Sequence, residues 1–120
     1  MLAARVDDDR GIAYLEPDGP LSEIDFEQAA RVVDAFIEQH GALAGVIIHT
    51  QWFPGWESFA AMCAHLRFVR DHHAQVRRVA LVTDSRLGRL VEPIADHFTS
   101  ADIEVFAYSD MFDAEQWITS

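Results

Sequence analysis

The sequence predicts a single α/β domain, residues 1–120, built on a mostly parallel sheet. Three observations carry this. Five short apolar segments alternate with stretches of helical periodicity, joined by short connections. Two of those segments, Val46–Thr50 and Val79–Thr83, are continuous apolar runs, as strands covered on both faces should be. The chain has 120 residues, half of them hydrophobic, which is enough for one core without disulfide or metal.

Taken in order, Leu2–Val6 and Gly11–Glu16 read as the first two strands. The acidic, glycine-ended linker Asp7-Asp8-Asp9-Arg10-Gly11 between them predicts an antiparallel hairpin. Pro17-Asp18-Gly19-Pro20 stops the second strand. Ser22, followed by Asp25, forms a capping box with aspartate in the usual glutamate place. From there Phe26, Ala29, Val33, Phe36 and Ile37 recur at helical spacing until Gly41 ends the helix.

The buried strand from Gly45 to Thr50 follows, then the loop Gln51-Trp52-Phe53-Pro54-Gly55-Trp56 and a helix from about Glu57 to His72. The expected apolar stripe of that helix is Phe59, Met62, Cys63, Leu66 and Val69, with Arg67, Arg70 and Asp71 in water. Val79–Thr83 is the next strand. Asp84 and Ser85 then offer caps for a segment bearing Leu87, Leu90, Val91, Ile94 and Phe98. There Pro93 either kinks a helix or opens one. Ile103–Tyr108 is the last strand, and Asp110 is expected to cap a short helix ending near Trp117 and Ile118. The order is ββαβαβαβα, an opening hairpin followed by right-handed crossovers.

Charge narrows the function. Twenty acidic side chains against nine arginines give a formal charge of −11. Such a surface repels phosphate backbones and anionic headgroups, which excludes nucleic acid as a partner. No apolar run approaches the roughly 20 residues needed to cross a bilayer, so no stable membrane insertion is expected. Met1–Asp7 lacks the basic start and long apolar stretch of a secretory signal. Cys63 is the single cysteine, which rules out an internal disulfide and fits a cytoplasmic location.

The chemistry-bearing residues form no catalytic or metal pattern. Adjacent His72 and His73 point about 100° apart on a helix, and His65 lies two turns earlier, so solvated surface histidines are expected rather than ligands. Cys63 falls on the apolar stripe, where a cysteine behaves as a small hydrophobe. Ser85 lacks the Gly-x-Ser-x-Gly elbow, and none of the glycines forms a phosphate loop. No cofactor and no enzymatic activity are therefore expected. The informative segment is the loop with Trp52, Phe53 and Trp56, at the carboxyl end of a strand where α/β sheets bind ligands. Those aromatics are either core, with Trp56 starting the helix and Trp52 covering the sheet edge, or a contact surface. Asp84, Arg86 and Arg89 follow the neighbouring strand. The two arginines either hold a partner's carboxylate or pair with Glu92 and Asp96 on a solvated face.

Several stretches resemble the SpoIIAA-like family, small bacterial proteins related in fold to STAS domains and to CRAL-TRIO lipid-binding domains. They are Leu21-Ser22-Glu23-Ile24-Asp25-Phe26, Phe53-Pro54-Gly55-Trp56, Arg78-Val79-Ala80-Leu81-Val82-Thr83-Asp84 and Phe112-Asp113-Ala114-Glu115-Gln116-Trp117-Ile118. The resemblance implies a STAS-like mixed sheet of four or five strands with about four helices, packed mainly on one face. It also implies a homodimer and no established enzymatic reaction. In one respect the chain departs from STAS-domain anti-sigma-factor antagonists, which carry a phosphorylatable Asp-Ser motif at the helix after the third strand. Pro54-Gly55-Trp56-Glu57-Ser58 stands there instead. The expectation is a non-catalytic interaction module. Its contact surface would comprise Trp52, Phe53, Trp56, Asp84, Arg86 and Arg89, with a protein partner or second copy opposite. The alternative is a carrier or sensor of a small hydrophobic ligand, a lipid or fatty acid, in a CRAL-TRIO-like pocket.

Overall fold

The computed structural model describes residues 1–84 and 102–120. Five strands, β1 (Leu2–Asp7), β2 (Ile12–Pro17), β3 (Leu43–His49), β4 (Val76–Val82) and β5 (Asp102–Phe106), form one sheet in the order β1-β2-β3-β4-β5. β1 and β2 pair antiparallel from Leu2↔Pro17 to Asp7↔Ile12, and the remaining neighbours pair parallel. The expected hairpin and the parallel neighbours that follow it are therefore present. Among the described residues three helices accompany the sheet: α1 (Glu23–His40), α2 (Phe59–His72) and α3 (Met111–Thr119). A short 3-10 turn, His73–Gln75, leads into β4. The segment expected to follow Asp84, with Ser85, Arg86, Arg89 and Pro93, lies outside the described residues.

Local chemistry explains most boundaries. In the β1–β2 turn the Asp7 carboxylate accepts the backbone N–H groups of Asp9 and Arg10 at 3.1 and 3.3 Å, and the Gly11 N–H closes onto the Asp7 carbonyl at 2.8 Å. The capping box of α1 forms as expected: Ser22 Oγ accepts from the Asp25 N–H, while Asp25 accepts from the Ser22 N–H at 2.9 Å. Gly41 ends that helix at a φ of 93°, a conformation that favours glycine. Asp110 does occupy the N-cap position of α3, yet its side chain makes no capping bond there. The Asp110 carbonyl accepts only the ordinary first bond of the helix, from the Ala114 N–H at 3.1 Å.

Two cores result. Alternating strand residues send Ala13, Leu15, Val46, Val79 and Leu81 to one face, against Phe26, Ala29, Val33 and Phe36 of α1 and Ala64 and Phe68 of α2. The other set, Ile12, Tyr14, Ile47, Ala80 and Val82, packs against Ala114 and Ile118 of α3. Right-handed crossovers running in one direction along the sheet put α1 and α2 on the same face. α3, which follows the last strand, covers the opposite one. Its approach is close: a Cβ on Gly45 would stand 2.6 Å from Ile118 Cγ2 and 2.9 Å from the Arg78 carbonyl oxygen. Tyr14 ties the α3 side to the hairpin, because its hydroxyl bonds Glu115 and also accepts from Arg10 Nη2 at 2.7 Å.

The expected stripe of α2 is corrected by about one residue's rotation. Of the expected residues Val69 is buried, but Phe59 is 77% exposed and Leu66 37% exposed, whereas Ala61 and His72 are buried and Ala64, His65 and Phe68 face inward. Both faces of this helix carry apolar residues, so periodicity alone does not choose between them. The inward face is the one whose small alanines let the helix approach and whose histidines find partners.

Candidate functional site

The carboxyl ends of β3, β4 and β5 are knitted together by short polar links. The Gln51 carbonyl accepts both the Asp84 N–H at 3.0 Å and the Thr83 hydroxyl at 3.1 Å. The Thr50 hydroxyl donates to the Trp52 carbonyl at 3.0 Å, and the Thr50 N–H reaches the Val82 carbonyl at 3.2 Å. The Asp84 carboxylate accepts the Tyr108 N–H at 3.1 Å, so this side chain positions the loop after β5. The His49 and Tyr108 rings stack above it, 4.4 Å apart and nearly parallel.

From this fixed base the aromatic loop divides. Trp52 stands 63% exposed. Phe53 and Trp56 turn inward, against the core under α1 and α2. Trp56 precedes α2 instead of starting it, and it forms a one-residue parallel bridge with Leu21. The bridge has a Leu21 N–H bond to the Gly55 carbonyl at 3.1 Å and a Glu57 N–H bond to the Leu21 carbonyl at 2.8 Å. Ser58 then caps the helix, its Oγ accepting the Ala61 N–H at 3.1 Å.

A file of rings runs inward from the loop. Phe53 meets Trp56 edge-on at 5.2 Å, Trp56 meets His65 at 5.7 Å, and His65 lies 5.0 Å from Phe26. Phe26 leads to Phe68 at 6.4 Å, and Phe68 to His72 at 4.5 Å. The two histidines are not solvated as the sequence suggested. The Trp56 indole Nε1–H donates to His65 Nδ1 at 3.1 Å, which requires a lone pair on that nitrogen and hence a neutral ring with its hydrogen on Nε2. Burial pushes the His65 pKa down to about 4, which favours the same neutral form. His72, 8% exposed, meets the Phe68 carbonyl through Nδ1 and the Asp34 carboxylate through Nε2, each at 2.7 Å. Both of its ring nitrogens thus have a protein oxygen within hydrogen-bond distance. These partners were legible only through the second periodic face of α2, on which Ala61, His65, Phe68 and His72 recur at three- and four-residue spacing.

Between the sheet and these helices lies an apolar cavity of about 50 Å³. Its wall includes Leu15, Val46 and Val79 from the sheet, Phe26 and Val33 from α1, and Phe53 and His65. Of the residues singled out in the sequence, the structure thus brings Phe53 to the cavity, packs Trp56 behind it against His65, and leaves Trp52 at the surface. It uses Asp84 as a loop anchor. Arg86 and Arg89 lie outside the described residues. Among the described residues, no three His, Cys, Asp or Glu side chains converge on a common metal position. No helix among them is long and apolar enough to cross a membrane.

Comparison with known proteins bears on the whole of this arrangement. The SpoIIAA-like family model matches residues 12–119. Among solved structures, an uncharacterised protein of the DUF3478 family with a SpoIIAA-like fold, from Shewanella loihica PV-4, has a TM-score of 0.73. It is 21% identical in sequence, and the match covers 98% of this chain and 92% of that one. At that identity the likeness is one of fold. No curated protein matches the chain.

Proposed function

The chain belongs to the SpoIIAA-like family, and with that as premise we propose that it is a non-catalytic cytoplasmic interaction module of STAS-like fold, acting as a homodimer. The observation that carries this reading is the exposure of Trp52 and Phe59, 63% and 77%, on either side of the pinned Trp56 bridge. Large aromatics held in water by a rigid base are poor for folding and good for association, because they bury much area with few rotamers to freeze. The Asp-Ser motif of the phosphorylated antagonists is absent from the helix start, so switching through that serine is not part of the proposal. Phe53 packs inward, which makes Trp52 and Phe59 the pair to substitute. Sedimentation velocity of the Trp52→Ala, Phe59→Ala double variant is expected to show a dimer weakened at least tenfold with unchanged circular dichroism. A double variant that self-associates like the wild type would remove this surface from the interface.

A second reading is favoured by the cavity. An apolar void of about 50 Å³, walled by aromatics and placed between sheet and helices, suits a carrier or sensor of a small hydrophobic ligand. Native mass spectrometry of gently purified protein reads oligomer and cargo together. A retained sub-kilodalton adduct supports the carrier, and a clean dimer supports the interaction module.

A further inference from the structure

The cavity wall is apolar almost throughout, and its few polar groups differ sharply in availability. Both His72 nitrogens are committed, to the Phe68 carbonyl and to Asp34. The Trp56 indole N–H is committed to His65 Nδ1. That bond leaves the His65 hydrogen on Nε2, and no acceptor for it is present among the described residues. His65 therefore brings one N–H donor without a protein acceptor to an otherwise apolar space. Resting on the carrier reading above, we propose that the cavity takes an uncharged small molecule with an apolar body and one hydrogen-bond acceptor, an alcohol, ketone or ester oxygen, which receives the Nε2–H of His65.

Two further observations select this class. The first is charge. Among the described residues no arginine lines the cavity, and His72 already faces the Asp34 carboxylate at 2.7 Å, so a carboxylate entering here would lose its hydration with no free cation to meet it. A fatty acid anion is thereby disfavoured against its alcohol. The second is size. A void of about 50 Å³ is only a few times the roughly 10–15 Å³ that one water needs by the same measure. The site is therefore suited to the polar end and first few carbons of a ligand, and a short chain is the apt probe. A pure hydrocarbon would fill the space and leave the His65 N–H without an acceptor, which forfeits part of the available interaction.

The test uses the full chain at neutral pH, with butanol and butyrate as matched probes and ¹⁵N-resolved NMR of the Trp56 indole and the His65 ring as the readout. Butanol is expected to shift both signals saturably, with butyrate weaker by tenfold or more. His65→Gln keeps an acceptor for Trp56 and a donor for the ligand, so it should retain that preference. His65→Phe should lose the advantage of butanol over a matched short alkane such as pentane. Butyrate binding as tightly as butanol would overturn the neutral-ligand class while leaving the carrier reading in place. An unchanged butanol preference over pentane in His65→Phe would overturn the role of His65. Failure of butanol, butyrate and pentane alike to bind would remove the carrier reading itself, and this proposal with it.

Discussion

Gly45→Ala tests how closely α3 is seated on the sheet. The added Cβ would lie 2.6 Å from Ile118 Cγ2, 2.9 Å from Ile118 Cδ1 and 2.9 Å from the Arg78 carbonyl oxygen. Carbon atoms sit comfortably at about 3.5–4.0 Å, so the overlap with Ile118 approaches an ångström. The carbonyl belongs to β4, which pairs with β3 through Gly45↔Arg78, and cannot retreat without loss of the ladder. Ile118 is 1% exposed and withdraws only if α3 lifts from Ile47, Ala80 and Val82. Overpacking of this kind costs about 1–3 kcal/mol. For a domain of this size that is a fall in Tm of roughly 4–15 °C. Urea denaturation followed by circular dichroism supplies the measurement, and Ile118→Ala supplies the control. On its own that truncation should cost about 2–5 kcal/mol. In the Gly45→Ala background it should cost distinctly less, since it also removes the clash. A Gly45→Ala protein as stable as the wild type would refute the reasoning. So would strictly additive losses in the double variant.

Other expectations follow from the same contacts. His65 has its pKa lowered from 6.5 to about 4, so its contribution to stability is complete above pH 6.5. As pH falls from there towards 4, the unfolded chain takes up a proton that the folded chain refuses. Stability should drop by about 3 kcal/mol across that window, and His65→Gln should flatten this part of a pH series of urea melts. Tyr14 has its pKa raised to about 12, first by burial and then by Glu115. An alkaline ultraviolet titration should show one phenolate step near pH 12 that disappears in Tyr14→Phe, and stability should decline as pH rises from 10 towards 12. Ser22→Ala removes one half of the capping box and should cost about 1 kcal/mol by denaturant titration.

What the sequence made legible were features written into a few neighbouring residues. Ser22 and Asp25 announce the start of α1, Gly41 its end, and the Asp7–Gly11 turn the antiparallel opening, because each acts on its own backbone. The strands' approximate positions were equally readable, although β3 and β4 begin three residues earlier than their densest apolar runs. α2 was less so. Its two apolar faces have the same period, and the choice between them rests on Asp34 and Trp56, residues far from the helix face they select. For the same reason His65 and His72 read as surface histidines until their partners are known. Asp110 marks the right place for a cap, yet its side chain makes no capping bond there. The aromatic loop was visible as a unit, while its division into an exposed Trp52 and inward Phe53 and Trp56 depends on the Leu21 bridge, some 35 residues away.

Every neighbour in the sheet is also the next strand in the chain. No strand has to be inserted between two that have already paired, so the sheet can grow at one edge as the polypeptide emerges, with β3 and β4 each bringing a helix to the same side. Among the described elements, the one that covers the other side of the sheet comes last. Ile12, Tyr14, Ile47, Ala80 and Val82 wait for α3, nine residues that follow β5. A nascent chain paused before Met111 would present that greasy half-sheet to its surroundings. That is the moment in its synthesis at which this chain has most need of a chaperone.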